Sequence, residues 1–187
     1  MIRVLGLDIA SRCTGVALPN GRTLTIKART QTNPGPGRMD EQLVELRRLT
    51  ANAAPEIAAI EGYSMGGLRG LASQRLAETG GIIRWALWRR GVPFLEIPPS
   101  TLKVYATGSG RADKDDMVAV AVEGGADVDD HDQADAWLCR AFLLHAVGQP
   151  VWRGSARAEE AVEAFGGTAR ALITVNRPRG SMEAPCL

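Results

Sequence analysis

Three short apolar runs open the chain and predict an antiparallel sheet. Residues 2–9 are apolar with several β-branched members, residues 13–18 repeat this character, and TLTIKA follows at 23–28. The dipeptide Asn20-Gly21 separates the second run from the third, and it is the strongest short-range signal for a tight hairpin turn. We therefore predict three antiparallel strands.

Helical and strand patterns alternate after a predicted Pro- and Gly-rich loop, TQTNPGPGR at 30–38. Two further apolar runs, EIAAIEGYS after Pro55 and VPFLEI at 92–97, predict strands. Helical spacing predicts helices over residues 39–53, 70–90, 113–123 and 133–147, with a short helix in PPSTLKVYATG. This order predicts an α/β fold in which a mixed five-stranded sheet, three antiparallel strands and then two parallel ones, is flanked by helices.

The length of the chain predicts one domain with a modest appendage. The chain has 187 residues, and its composition changes beyond Gly148. We assign residues 1–148 to the main domain and residues 149–187 to a C-terminal extension, in which SARAEEAVEAF could form one more helix and NRPRGSMEAPCL a loose tail. The Gly80-Gly81 pair should weaken or bend its predicted helix, or permit close packing there.

Composition and charge narrow the class of protein. The net charge is +1, from 22 basic and 21 acidic residues, so bulk charge alone gives no reason to expect a nucleic-acid partner. The cysteines Cys13, Cys139 and Cys186 have neither a metal-ligand spacing nor an even count, which favours reduced thiols in a cytoplasm. No signal peptide or membrane span is recognisable, so we expect a soluble cytoplasmic protein without a membrane partner.

Carboxylates stand at the ends of two predicted strands and at the start of a late helix. Asp8 and Glu61 each end an apolar run, and parallel strands would bring both to the same end of the sheet. Asp132 and Asp135 are three residues apart and share one helix face. Clustered oxygen ligands suit Mg²⁺ or Mn²⁺ better than Zn²⁺, although each acid alone also fits a turn or a helix cap.

The order of these motifs resembles the RuvC family of Holliday-junction resolvases, within the RNase H-like superfamily. GLDIASRCTG is similar to the first motif of that family, AAIEGY to its second, and DQADAW to its final D-x-x-D-A helix. Between them, PPSTLKVYATGSGRADKDDM is similar to the family segment of P, K, T-G-x-G-x-A-x-K character. The resemblance covers roughly residues 2–147, and the ordered set is specific where one motif alone would be weak.

The resemblance implies a site, cofactors and partners. It implies metal ligands at Asp8, Glu61, Asp132 and Asp135, which would hold two Mg²⁺ or Mn²⁺ ions, and DNA contacts at Lys103 and Lys114. It also implies a metal-dependent endonuclease that acts as a homodimer on branched DNA. The expected substrate is a Holliday junction, and the expected products have 5′-phosphate and 3′-hydroxyl ends.

Local chemistry adds further candidates to the DNA-binding set. Backbone N–H groups of residues 107–110 could bind a phosphate, with Ser109, Arg111 and a helix N-terminus nearby. The helix at 70–90, with Trp85 and Trp88, is the candidate dimer interface, although core packing explains the same apolar residues equally well.

The chain departs from the family pattern at two places. Ile9-Ala10 stands where the family usually has Pro-Gly, and Ser64 stands where it often has an aromatic wedge. Tyr63 or Met65 could replace that wedge. Two alternatives stay open: a nuclease of the same fold that acts on flaps, forks or structured RNA, and a protein that binds junctions without cutting them.

Overall fold

The computed structural model describes residues 1–29, 35–63 and 70–175, which form one sheet with helices on both faces. The strands are β1 (Val4–Ile9), β2 (Cys13–Ala17), β3 (Thr23–Lys27), β4 (Ile57–Glu61) and β5 (Phe94–Ile97). The helices are α1 (Pro36–Thr50), α2 (Leu71–Arg89), α3 (Pro99–Thr107), α4 (Lys114–Glu123), α5 (His131–Ala146) and α6 (Ala158–Val175).

The sheet has the predicted topology. Its strand order is β3-β2-β1-β4-β5, with β1–β2 and β2–β3 antiparallel and β1–β4 and β4–β5 parallel. The mixed five-stranded sheet predicted from the sequence is confirmed. The first helix begins at Pro36, earlier than the predicted residue 39, because proline is well suited to the first turn of a helix.

Alternation along the strands divides the core between the two faces of the sheet. Leu5, Leu7 and Ile9 of β1 face α1 and α2 and form one apolar cluster with Ala58 and Ile60 of β4. The alternate strand residues, such as Val4, Ile57 and Ala59, face α5 and form a second cluster. The sheet therefore has a layer of helices packed on each of its two faces.

Helix α5 lies at the centre of the second layer, and its sixteen residues are mostly buried. It packs on β1, β2 and β4 and is covered by α3, α4 and α6. Because neighbours surround it, α5 is apolar on several sides and not along a single stripe.

The segment after residue 148 adds to this core. The alanine-rich inner face of α6 is buried, with Ala158, Ala161 and Ala169 in the same cluster as α5, and the Phe165 ring packs edge-on against Phe142 with centroids 5.3 Å apart. The helix expected in SARAEEAVEAF extends through ALITV to Val175. The predicted tail from residue 176 lies outside the described residues.

Two glycines let α5 approach the sheet very closely. A Cβ atom on Gly6 would overlap the Ala136 carbonyl oxygen, and one on Gly15 would overlap the carbonyl group of Asp132. Glycine inside a strand commonly marks such an approach of another backbone. The absence of these two side chains therefore sets the distance between α5 and the sheet.

The Gly80-Gly81 pair in α2 divides into two environments. A Cβ on Gly80 would overlap the Tyr63 hydroxyl, whereas one on Gly81 would meet nothing within 4 Å. Close packing is thus the role of Gly80.

In the described part of the chain, no helix is long and apolar enough to cross a membrane.

We predict that Gly15→Ala separates the first turn of α5 from β2. The atoms that the new methyl group meets belong to the backbone and cannot rotate away, so the variant should lose about 1–3 kcal/mol of unfolding free energy. Urea unfolding measures that loss, and hydrogen exchange should rise at the amides of residues 131–135.

Gly167→Ala in α6 is the matched control. A Cβ there meets nothing within 4 Å, so this substitution should stabilise the helix by roughly 0.5–1 kcal/mol. A Gly15→Ala protein as stable as the unsubstituted chain would contradict the role given to Gly15.

Candidate metal centre

Strand alternation places Asp8 and Glu61 on the face of the sheet that α5 covers. Asp8 follows Val4 and Gly6 along β1, and Glu61 follows Ile57 and Ala59 along β4. The two strands are parallel neighbours with Leu7 opposite Ile60, so both acids stand at the same end of the sheet. The predicted parallel pairing of these strands is confirmed.

Helix α5 brings a third carboxylate to this point. Ligand oxygens of Asp8, Glu61 and Asp135 all lie within 4.8 Å of one another. Asp130 provides the helix cap, accepting a hydrogen bond of 2.9 Å from the Gln133 N–H. The acids Asp132 and Asp135 are therefore not used as caps.

Burial and mutual repulsion disfavour the charged forms of these three acids. Burial, and then the charge of Asp135, raise the pKa of Asp8 to about 7. Burial, and then the charge of Asp8, raise the pKa of Glu61 to about 9, and burial raises that of Asp135 to about 6. The contact between the two carboxyl groups lowers the pKa of Asp8 and raises that of Glu61 further.

Asp132 stands beside this group of three acids. Its Oδ1 lies 3.2 Å from His131 Nε2, and its carboxylate accepts a hydrogen bond from the Cys13 thiol. Burial and this hydrogen bond raise the pKa of Cys13 to about 12, so the thiol stays protonated at neutral pH. The charge of Asp132 still raises the pKa values of Asp8 and Asp135, which places it close to both.

The donor set fits a hard divalent cation. The three clustered acids offer only oxygen, and within the described residues the buried Oδ1 of Asp135 has no hydrogen-bond partner. Mg²⁺ and Mn²⁺ prefer such ligands, whereas Zn²⁺ sites usually contain His or Cys. A bound cation would relieve the repulsion and satisfy the unpaired oxygen.

Two predicted DNA-contacting lysines lie near the acids. The charge of Lys103 lowers the pKa values of Glu61 and Asp135, and that of Lys114 lowers those of Asp8 and Asp135. Lys103 is half-buried in α3, and its Nζ donates to the Ala112 carbonyl at 2.6 Å. Lys114 is exposed at the first turn of α4.

Two of the N–H groups predicted to bind a phosphate in the TGSG loop already have partners within the protein. The N–H groups of Gly108 and Ser109 donate to the Val104 carbonyl and the Thr107 hydroxyl, so neither is free for a phosphate. The reason is that α3 ends in a left-handed cap at Gly108, which uses these donors itself. The side chains of Ser109 and Arg111 are exposed at this loop.

Helix α4 begins after this loop at a capping box. The Asp113 side chain accepts from the Asp116 N–H at 2.9 Å, and Asp116 accepts in return from the Asp113 N–H at 3.0 Å. These two acids thus stabilise the start of a helix, and the metal centre does not include them.

Tyr63 is held by the protein itself. Its hydroxyl accepts a 2.8 Å hydrogen bond from Arg84 Nη1, and the guanidinium lies 4.7 Å from the ring centroid. Arg84 also donates to Glu96 at 2.7 Å. Tyr63 therefore reinforces the segment after Glu61, and its predicted contact with DNA stays a prediction. Ser64 and Met65, the other candidates for that position, lie outside the described residues.

Sequence reasoning missed the residues that hold the turn after Asp8 and the neighbouring helices in place. Buried Gln42 of α1 accepts a hydrogen bond from Thr14 at 2.6 Å and donates to the Ser11 carbonyl at 3.4 Å, which ties α1 to the turn after Asp8. Gly6 and Gly15 were also missed as packing positions. Glycine within an apolar strand is the available signal for them, and nothing in the pattern of α1 marks Gln42.

Comparisons with known proteins place the chain in a family. No family model matches it. It is 36% identical to the crossover junction endodeoxyribonuclease RuvC of Anaeromyxobacter sp. (strain K), over 78% of this chain and 85% of that protein. It is 33% identical to the RuvC of Synechococcus sp. (strain WH7803), over 63% of this chain and 79% of the relative.

Solved structures share the fold. The structure of Thermus thermophilus RuvC matches with a TM-score of 0.60 and 19% identity, over 74% of this chain and 91% of that one. The T. thermophilus RuvC in complex with Holliday junction substrate matches with a TM-score of 0.63 and 18% identity, over 75% and 91% of the two chains. The RNase H-like fold predicted from the motifs is confirmed. By its curated relatives, this chain belongs to the RuvC family of crossover junction endodeoxyribonucleases.

Proposed function

We propose that this protein is a metal-dependent endonuclease that cuts four-way DNA junctions. The observation that carries the proposal is the meeting of Asp8, Glu61 and Asp135 oxygens within 4.8 Å, in a chain whose relatives are crossover junction endodeoxyribonucleases. Products with 5′-phosphate and 3′-hydroxyl ends are part of the proposal.

Asp8, Glu61 and Asp135 are the proposed ligands of Mg²⁺, or of Mn²⁺ in its place, and Asp132 completes a site for two ions. When bound, such ions lower the pKa of the attacking water and neutralise charge on the departing 3′ oxygen. The carboxylates must lose their protons to act as ligands, so the charges of Lys103 and Lys114 favour the ligand form.

The same two lysines are proposed to contact the DNA backbone. Both lie within electrostatic range of the carboxylates, so a phosphate at the metal centre would also lie near them. Ser109 and Arg111, which are exposed at the neighbouring loop, and Tyr63 complete the proposed DNA contacts. Lysine and arginine contacts of this kind position a backbone and do not read the base sequence.

We also propose a homodimer formed through the outer face of α2. The large apolar side chains of Leu71, Trp85 and Trp88 are 68%, 44% and 69% exposed in the single chain, and a second copy would cover them. Two symmetry-related centres would suit two cuts in one junction.

We also propose a cytoplasmic location, because Cys13 and Cys139 are free thiols and a reducing compartment keeps thiols in that form.

Cleavage of a four-way junction, a flap and a linear duplex in Mg²⁺ tests the proposed activity. We expect the junction to be cut preferentially, and Asp8→Asn to lower the rate on the order of a thousandfold, because a ligand charge is removed. Asp40→Asn, the same substitution at an exposed position of α1, should leave the rate unchanged.

Each competing function has its own outcome. Equal cutting of all three substrates would identify a less selective nuclease, and tight junction binding without cutting would identify a non-catalytic binder. Undiminished cleavage by Asp8→Asn would remove the metal-centre assignment.

The metal-free protein should lose stability as pH rises. The pKa values of Asp8, Glu61 and Asp135 are about 7, 9 and 6 in the fold, against ordinary values of 3.8, 4.5 and 3.8. Between these limits the native state binds more protons than the unfolded state, so this contribution is complete below about pH 4 and is lost as pH rises towards 9. Thermal unfolding in EDTA from pH 5 to pH 9 measures the decline.

Added Mn²⁺ should oppose that decline. A cation binds the ionised carboxylates, so it should raise the unfolding temperature more at pH 8.5 than at pH 5.5. Glu61→Gln removes the group with the highest of these pKa values and should flatten the decline in EDTA. A stabilisation by Mn²⁺ that is equal at both pH values would contradict the assignment.

A further inference from the structure

A cleft lined by cations opens beside the metal centre, where the β2–β3 hairpin meets the start of α5. It has a volume of about 500 Å³. Arg12, Cys13, Lys27 and Arg29 line its wall on the β2–β3 hairpin, and His131 and Asp132 line its wall on α5. We call it the hairpin cleft. Its two walls meet where the Cys13 thiol donates a hydrogen bond to Asp132, beside the three acids of the metal centre.

The sequence of β3 explains how the cations reach the cleft. Thr23 and Thr25 lie on the face towards α5, where their hydroxyls bond to the Asp127 carbonyl and to the Asp130 carboxylate. Lys27 has the same parity and is the cross-strand partner of Cys13. Because α5 begins at His131, Lys27 projects beyond the end of the helix and into the open cleft.

The cations of the cleft are available to a ligand. Arg12, Lys27 and Arg29 are exposed, and within the described residues none of them forms an ion pair. The hydrogen bond from Arg48 lowers the pKa of Glu45 in α1, and the charge of Arg29 adds a smaller effect. Because Arg29 thus acts partly on α1, we take Arg12 and Lys27 as the principal cations of the cleft.

The acids of the opposite wall, Asp130 and Asp132, are held in place by hydrogen bonds within the protein. Asp130 accepts hydrogen bonds from the Thr25 hydroxyl at 2.7 Å and from the Gln133 N–H at 2.9 Å. Asp132 contacts His131 and Cys13 at the edge of the metal centre. The lining thus holds three exposed cations against two carboxylates, Asp130 and Asp132, and this excess of positive charge favours an anionic ligand.

We propose that the hairpin cleft binds the backbone phosphates of the DNA strand as it leaves the metal centre, with Arg12 and Lys27 as the principal contacts. This rests on the proposed function, since a cut strand must pass the carboxylates. The cleft shares Asp132 with that centre, so a strand whose phosphate lies at the acids continues directly over Cys13 to Lys27. Lys103 and Lys114, whose charges act on the same carboxylates, then add further cations near the scissile phosphate. Flexible lysine and arginine side chains suit phosphates of any sequence.

The salt dependence of junction binding tests the cleft. The full chain carrying Asp8→Asn, which keeps the DNA intact, is compared with the same chain carrying Arg12→Ala and Lys27→Ala in addition. We expect weaker binding, and a plot of log K against log salt whose slope falls by about 0.7 to 0.9 for each phosphate that the protein no longer neutralises. The reduction should be equal for junctions of different sequence.

Matched variants separate this effect from a general removal of charge. Arg22→Ala with Arg47→Ala removes two charges from positions outside the cleft, and it should leave the slope unchanged. Lys27→Arg keeps the charge and should keep the slope. Thermal unfolding of every variant confirms that each one is folded.

The outcomes distinguish the cleft from the proposed function. An unchanged slope in the Arg12→Ala, Lys27→Ala protein, while the unsubstituted chain cuts junctions, would overturn the cleft alone. Increased aggregation with an unchanged slope would instead assign Lys27 to protecting the edge strand β3 and would also overturn it. Failure to prefer junctions, combined with the expected reduction in slope on linear duplex, would retain the cleft and reject the junction activity.

Discussion

The close approach of α5 to the sheet is the constraint on which the metal centre depends. Asp8 and Glu61 are fixed by two neighbouring parallel strands, but Asp135 reaches them only because a helix backbone lies directly on β1 and β2. Gly6 and Gly15 permit this contact, since any side chain at either position would overlap a carbonyl group of α5. A strand residue that contributes no side chain is therefore as important to the site as the acids.

Without a bound cation, the grouping of Asp8, Glu61 and Asp135 disfavours their ionised forms. Three carboxylates share a buried volume, and their pKa values rise because burial and mutual repulsion both disfavour ionisation. The fold tolerates this because the charges of Lys103 and Lys114 lower the pKa values of these acids, while burial favours the neutral form of Glu61. Binding of a divalent cation then replaces protons with a stronger positive charge, which couples the ligand to the stability of the fold.

Much of this arrangement follows from the sequence alone. Short apolar runs predict the five strands, and the position of Asp8 and Glu61 at the ends of two such runs predicts that they meet. The sequence does not reveal which acid caps α5, because Asp130, Asp132 and Asp135 all stand near its start, and only the structure assigns the cap to Asp130. The sequence also does not reveal that two N–H groups of the TGSG loop, those of Gly108 and Ser109, bond to the end of α3.

Long-range packing accounts for what the sequence cannot predict. Tyr63 is engaged by Arg84, a residue 21 positions later in the chain, and no local pattern encodes that pairing. The burial of α6 against α5 likewise depends on contacts between residues distant in sequence, such as the Phe165 ring on Phe142. The position of Lys27 in the hairpin cleft likewise depends on β3 extending beyond the first turn of α5, which the sequence does not show.

Anomalous diffraction from crystals of the full chain grown with Mn²⁺ tests the central claim most directly. The account predicts a manganese peak in direct contact with carboxylate oxygens of Asp8, Glu61 and Asp135. Crystals that show no manganese at these three residues, grown from a preparation that cleaves DNA in Mn²⁺, would contradict it.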